Sequence, residues 1–275
     1  MFKPSDIVID AYLDRLSDEY RRAHPDASTV AQTTLRRCGR LALTHTARTN
    51  ALYTNMDGCL LTTEVALRIV EGRQIECFDV TPDDWLHFIV ASLCSFTGFA
   101  RGVVPGDTGR DLVVGADGER FELPRDRTDG FLYPVYIERG QLFVRHYFRT
   151  DPMLDAERLA DYLNHMTRFP FPAEYGTDRN SLGALLGSAQ LIGHAADPRF
   201  HQRVKRFFRQ LDEAGLAGSM GYNNAQDVLD SYPQRFWRHI MPRIEVALSY
   251  LKYTGEGQTW LARMNAHMLA EEHRD

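Results

Sequence analysis

Any chemistry in this chain has to come from scattered single residues, because the familiar catalytic spacings are missing. Cys38, Cys59, Cys77 and Cys94 form no C-x-x-C pair, so a zinc knuckle is not expected. A thiol becomes a nucleophile where a neighbouring base or cation lowers its pKa. No such neighbour is evident for Cys59 or Cys94, and both read as small buried hydrophobes. His45, Asp84, His87 and Asp107 could form a metal site only without the helix-paired spacing that H-x-x-x-H or an adjacent His-Asp supplies. GDTGRDLVVGADG (106–118) has the glycines of a phosphate loop, but no G-K-[ST] follows them. Arg101 and Arg168 carry planar forks suited to an anionic ligand group, and equally suited to pinning a loop. RFHQRVKRFFRQ (199–210) interleaves aromatic and basic residues. Phe200, Val204, Phe207, Phe208 and Leu211 fit a buried helical stripe there, which puts Arg203, Lys205, Arg206 and Arg209 largely on the solvated face. That is an amphipathic helix rather than a nucleic-acid strip.

The elements that must position these residues are mostly helical. Hydrophobic residues at 44% and charged residues at 25% are ordinary globular values, and a net charge of −5 argues against a dedicated nucleic-acid binder. No stretch reaches the ~18 apolar residues of a membrane span. The first residues lack a signal-peptide layout, so a cytoplasmic location is expected. Ile7, Tyr12, Leu16 and Tyr20 mark an N-terminal helix, and a break near Asp57-Gly58 should divide the long proline-free stretch 35–71. Thr81-Pro82-Asp83-Asp84 opens a helix expected to run to about Phe99, on which His87 lies two turns before Ser95. Turn residues around Leu112–Val114 and Phe121–Leu123 predict a small β-hairpin. Helical periodicity returns at 155–168, 182–195, 200–214 and 235–253, with Pro242 kinking the last, and again at 258–270. The expected architecture is one all-α domain over 1–275, with a helical extension at 1–40 and a β-containing insertion at about 103–150.

YTNMDGCLL (53–61) and DWLHFIVASLCSFTGFARG (84–102) resemble segments of the HD-domain superfamily of metal-dependent phosphohydrolases and phosphodiesterases. The resemblance continues through ERGQLFVR (138–145), TRFPFP (167–172), QLIGHAADP (190–198), GYNN (221–224) and YPQRFW (232–237), and so covers most of the chain. It implies an HD-like helical bundle. In the nearest subgroup the first segment reads Y-H-N-x-x-H and the second C-H-D-I-G-Y-x-R-G. Here the two histidines fall on Thr54 and Gly58, and the His-Asp pair on Ser95 and Phe96. A later aspartate falls on Gln190, and a further histidine, expected near a strand, on Tyr136. The flanking Tyr53, Asn55, Cys94, Gly98, Arg101 and Gly102 are kept.

An HD centre needs imidazole nitrogens and carboxylate oxygens. Thr, Ser and Gln are weak neutral donors, while Gly and Phe offer none. The resemblance therefore implies no metal, no cofactor and no ordinary phosphohydrolysis. The replaced centre is expected to be a small-molecule pocket or a filled core, and the pocket would use Tyr53, Thr54, Asn55, Ser95, Phe96, Arg101, Arg168 and Gln190. Asp57, Tyr136 and His194 are the candidate catalytic groups; His194 lies one turn beyond Gln190 on the same helix face. The leading expectation is a metabolite-binding protein promoting a non-redox reaction (cyclisation, isomerisation, elimination or hydrolysis). A ligand sensor and a scaffold are the alternatives, and behind them a phosphohydrolase with a metal site displaced to His45, Asp84, His87 or Asp107. The expected partner is a small molecule, not nucleic acid or membrane, and a homodimer is one admissible assembly.

Overall fold

A computed structural model describes residues 3–172 and 178–274. Among them are twelve α-helices, α1 (Pro4–Ala23), α2 (Thr29–Thr46), α3 (Met56–Cys77), α4 (Pro82–Cys94), α5 (Tyr136–Phe148), α6 (Ala156–Asn164), α7 (Leu182–Ala195), α8 (Phe200–Glu213), α9 (Ala225–Asp230), α10 (Tyr232–Arg235), α11 (Met241–Leu251) and α12 (Gly255–Glu272). Strands β1 (Asp111–Val113) and β2 (Arg120–Glu122) form one antiparallel hairpin with Leu112 opposite Phe121. The protein is thus mostly helical with one small β excursion, as the periodicity predicts. No helix among the described residues is long and apolar enough to cross a membrane.

At the centre α3 packs on α7, and α11 packs on both. Small residues allow this approach: a Cβ on Gly193 of α7 would sit 3.2 Å from the Leu61 backbone of α3. α1 and α2 form an antiparallel pair, and α2 also packs on α4. The apolar core is one contiguous cluster running from Ile9 to Met268.

Local chemistry sets the ends of the helices that carry the candidate residues. The break in the 35–71 stretch falls at residues 47–55, earlier than Asp57-Gly58, because Asn55 caps α3 by accepting the Gly58 N–H at 3.2 Å. Asp57 and Gly58 therefore lie in the first turn. α4 opens on the expected Thr81–Asp84 capping box but stops at Cys94, short of Phe99. The Ser95 and Thr97 hydroxyls turn back to the Ser92 and Cys94 carbonyls at 2.6 and 2.9 Å, and a 3₁₀ turn follows at Thr97–Phe99. Gly98 is required there, since any Cβ would collide with the backbone of Tyr136 and Gly140.

The insertion is less β-rich than expected. Tyr136 is not near a strand; it opens α5, and only 111–113 and 120–122 are extended. Arg139 of α5 holds the hairpin to the core. Its buried guanidinium donates to the Gly98, Ala100 and Val113 carbonyls at 2.7–2.9 Å and forks onto both Asp107 oxygens at 3.0 Å. Burial pushes the Asp107 carboxyl up, but the Arg139 fork and the Val113 and Val104 N–H groups outweigh it and hold the carboxyl below its usual range.

Candidate functional site

Four of the six positions that the resemblance assigns to metal ligands are linked by contacts, and Thr54 and Ser95 bond to other neighbours. A Cβ on Gly58 would meet the Phe96 ring at 3.3 Å, and the Phe96 and Tyr136 rings lie 6.4 Å apart. Tyr136 and Gln190 grip one peptide segment from two sides: the Tyr136 hydroxyl donates to the Thr167 carbonyl at 2.7 Å, and the Gln190 Oε1 accepts the Thr167 N–H at 2.7 Å. Thr54 meets Gln210 of α8, whose Oε1 accepts the Tyr53 N–H, the Thr54 N–H and the Thr54 hydroxyl at 3.0–3.2 Å. Ser95 spends its hydroxyl on Ser92, as above.

Of the residues expected to line a pocket, Tyr53 and Arg168 border cavities, while none of the three cavities described below is lined by Thr54, Ser95, Phe96, Tyr136 or Gln190. Each of their polar side chains has a protein partner, and Phe96 fills the space that Gly58 leaves. This donor set does not fit a divalent ion: its oxygens are neutral and already committed. Among the described residues no group of three or more His, Cys, Asp or Glu side chains is placed to hold one.

The other candidates separate. Asp57 is half-exposed and pairs with Arg199 at 3.1 Å, away from the Phe96 cluster. Asn55 is spent on the α3 cap. Arg101 pins a loop: its Nε stands 2.7 Å from the buried Asp129 carboxylate, which also accepts from Thr49 and the Asn50 N–H. Arg168 pairs with Glu138 and lines a cavity of about 420 Å³ together with His165, Ser188 and Leu191. A third cavity, about 260 Å³, lies between the C-terminal ends of α1 and α3, against Trp85. His87 ties α4 to α6, with Nδ1 at the Asp83 carbonyl and Nε2 accepting the Asp155 N–H, both at 2.8 Å.

His194 and Tyr53 come together as the register suggests, and they lead to groups that sequence reasoning misplaces. The Tyr53 hydroxyl lies 2.6 Å from His194 Nδ1, and the Phe96 ring stacks on His194 at 6.1 Å. Burial, reinforced by the Arg203 charge, lowers the His194 pKa well below 6.5, so the imidazole is neutral. Burial also raises the Tyr53 pKa and keeps its proton on. Among the described residues the Tyr53 hydroxyl hydrogen has no acceptor but Nδ1. The imidazole proton therefore sits on Nε2, which is buried with no protein partner.

Arg203 is not on the solvated face of α8. It is 3% exposed, with Nε donating to Asp197 at 2.7 Å and Nη1 to the Tyr53 carbonyl at 2.8 Å. Its third nitrogen, Nη2, is buried and unpartnered. Spacing carried the signal, since Arg203 lies three residues after Phe200 and four before Phe207 on the same apolar stripe. Arg235, at the end of α10, donates from Nη1 to the Tyr222 hydroxyl at 2.6 Å, and its guanidinium lies 5.3–5.8 Å from the centres of the Tyr232, Tyr222 and Phe207 rings. Its Nε is buried and unpartnered too. A π-helical turn, Phe236–Ile240, follows Arg235 directly and ends just before Pro242. Such turns recur at functional sites. Tyr53, His194, Arg203, Arg235 and Ile240 all line one cavity of about 40 Å³.

Fold and site together describe an α-helical protein in which three buried, unpartnered nitrogens belong to residues lining one small niche beside the Phe96 cluster. The chain belongs to the Npun_R2479-like family, whose model matches residues 2–274. No curated protein matches the chain, and no solved structure does.

Proposed function

We propose that this protein is a metal-independent, HD-like bundle that binds a small anionic metabolite in the niche between α7, α8 and α10, beside the position where HD proteins hold their ions. The carrying observation is the convergence on one cavity of three buried nitrogens without protein partners, on His194, Arg203 and Arg235. Leaving a buried donor unsatisfied costs ~1–3 kcal/mol, and more when it is charged. Three together call for an acceptor. The HD-like part of the reading draws its support from the contacts that link Gly58, Phe96, Tyr136 and Gln190, reached from three separate stretches of sequence and from α5. Their neutral, committed oxygens favour a scaffold that works without an ion.

A catalytic use of the niche is the second reading, favoured by the Tyr53–His194 pair. A neutral imidazole with its free N–H aimed at a bound carbonyl or carboxylate can donate a hydrogen bond or a proton, as a non-redox isomerisation or elimination requires. The binding reading is tested by thermal unfolding against a panel of small organic acids, phosphate monoesters and neutral analogues at fixed ionic strength. At least one anion should raise the melting temperature saturably in the wild type and not in Arg235→Met. A panel in which no anion does so would remove the reading.

A further inference from the structure

We infer that the niche is built for the head group of a short monocarboxylate, taken up in a monoanionic, tightly fitting form. This inference rests on the anion-binding reading above and narrows its ligand.

Charge comes first. Arg203 is already balanced by Asp197, which is 1% exposed and 2.7 Å away. His194 is neutral. Arg235 has no acidic partner among the described residues and is set among aromatic rings, where it donates to the Tyr222 hydroxyl. The niche thus holds one uncompensated positive charge. A monoanion neutralises it. A dianion would leave a net negative charge buried against the electron-rich faces of Tyr53 and Tyr232, which is costly in a low-dielectric site.

Size and donor count agree. A water-sized group needs ~10–15 Å³ of such space, so 40 Å³ takes about three heavy atoms, the number in a carboxylate head. A phosphate group has five. The three unpartnered nitrogens carry four N–H groups, two of them on Arg203 Nη2, and these match the four lone pairs of two carboxylate oxygens. Each guanidinium has its other contacts fixed, Arg203 on Asp197 and the Tyr53 carbonyl, Arg235 on Tyr222, so the donors are held in place before the ligand arrives.

The test uses the full chain with three probes of similar bulk: propionate, neutral propionamide and methyl phosphate above its second ionisation. Ionic strength is held with chloride, and binding is read both as saturable thermal stabilisation and as a shift of the His194 Nε2 resonance, assigned with His194→Gln. Propionate should bind, propionamide and methyl phosphate should not, and Arg235→Met should weaken propionate ~10-fold or more, the worth of one charge-assisted hydrogen bond. Arg235→Lys, which keeps the charge but loses the Nε donor, should also weaken it, and serves if the Met variant does not fold. Binding of methyl phosphate as tight as or tighter than propionate overturns the monocarboxylate assignment and leaves an anion site standing. Equal binding of propionamide overturns it as well. If neither anion binds, both this inference and the reading beneath it fall.

Discussion

Replacing Arg203 by Met separates a buried, structure-bearing guanidinium from the solvated one that helical patterning alone would assign. Methionine keeps the length of the apolar stem and removes the charge. Asp197, 1% exposed, then loses its 2.7 Å partner, and the Tyr53 carbonyl loses a donor at 2.8 Å. Asp197 still accepts the Arg199 backbone N–H at 2.8 Å, which offsets part of the loss. Breaking a buried pair by removing one partner costs ~3–5 kcal/mol, and the surviving contact points to the lower end, about 3 kcal/mol. Urea unfolding of the wild type, Arg203→Met, Asp197→Asn and the double variant gives a complete cycle. The midpoint should fall without a change in slope, and the cycle should return a coupling energy of ~1–3 kcal/mol. A loss below ~1 kcal/mol, with additive single effects, is the signature of an exposed ion pair and would refute the burial of this side chain.

The other expectations follow from the same geometry. Phe96→Ala removes a fully buried ring that packs on Gly58, Tyr136 and His194, and should cost ~3–5 kcal/mol of unfolding free energy by urea titration. His194 is held well below 6.5 by burial first and Arg203 second, so on acidification the unfolded chain takes up this proton before the folded one. The contribution is complete above pH 6.5 and is lost below it by ~1.4 kcal/mol per pH unit. His194→Gln should abolish that slope; a wild-type-minus-variant difference that stays flat from pH 7 to 5 contradicts it. Arg139→Met strips three carbonyls and Asp107 of their donor, and should destabilise by ~3–5 kcal/mol while speeding amide exchange across Asp111–Glu122. Slow exchange there would show that the hairpin stands without it.

Much of the fold was legible because its signals are local. α7 and α8 begin where periodicity places them, and the hairpin sits where turn residues flank short apolar runs. α5 was not legible as a helix: Tyr136–Phe148 follows a turn-rich stretch, and its defining residue is a charged Arg139 that only tertiary partners make buriable. The site divided along the same line. The resemblance assigns Tyr53 and His194 to one expected site, and the structure brings them to 2.6 Å; Phe96, Tyr136 and Gln190 are linked through ring contact and Thr167. That the polar atoms of Thr54, Tyr136 and Gln190 would be consumed by Gln210 and Thr167 could not be anticipated, since both partners are distant in sequence. Arg203 was misplaced because a basic residue on an apolar stripe normally snorkels outward, and here Asp197 and the Tyr53 carbonyl make the inward position cheaper. Arg235 carried no sequence signal beyond its place before a proline-terminated turn.

The most direct measurement is elemental analysis of the chelator-free protein after equilibrium dialysis against manganese, iron and zinc. With Thr54, Gly58, Ser95, Phe96, Tyr136 and Gln190 packed and committed to one another's neighbours, each ion should remain substoichiometric and fail to saturate. One tightly held ion per chain, lost when Gln190 or Tyr136 is replaced, would contradict the account at its centre.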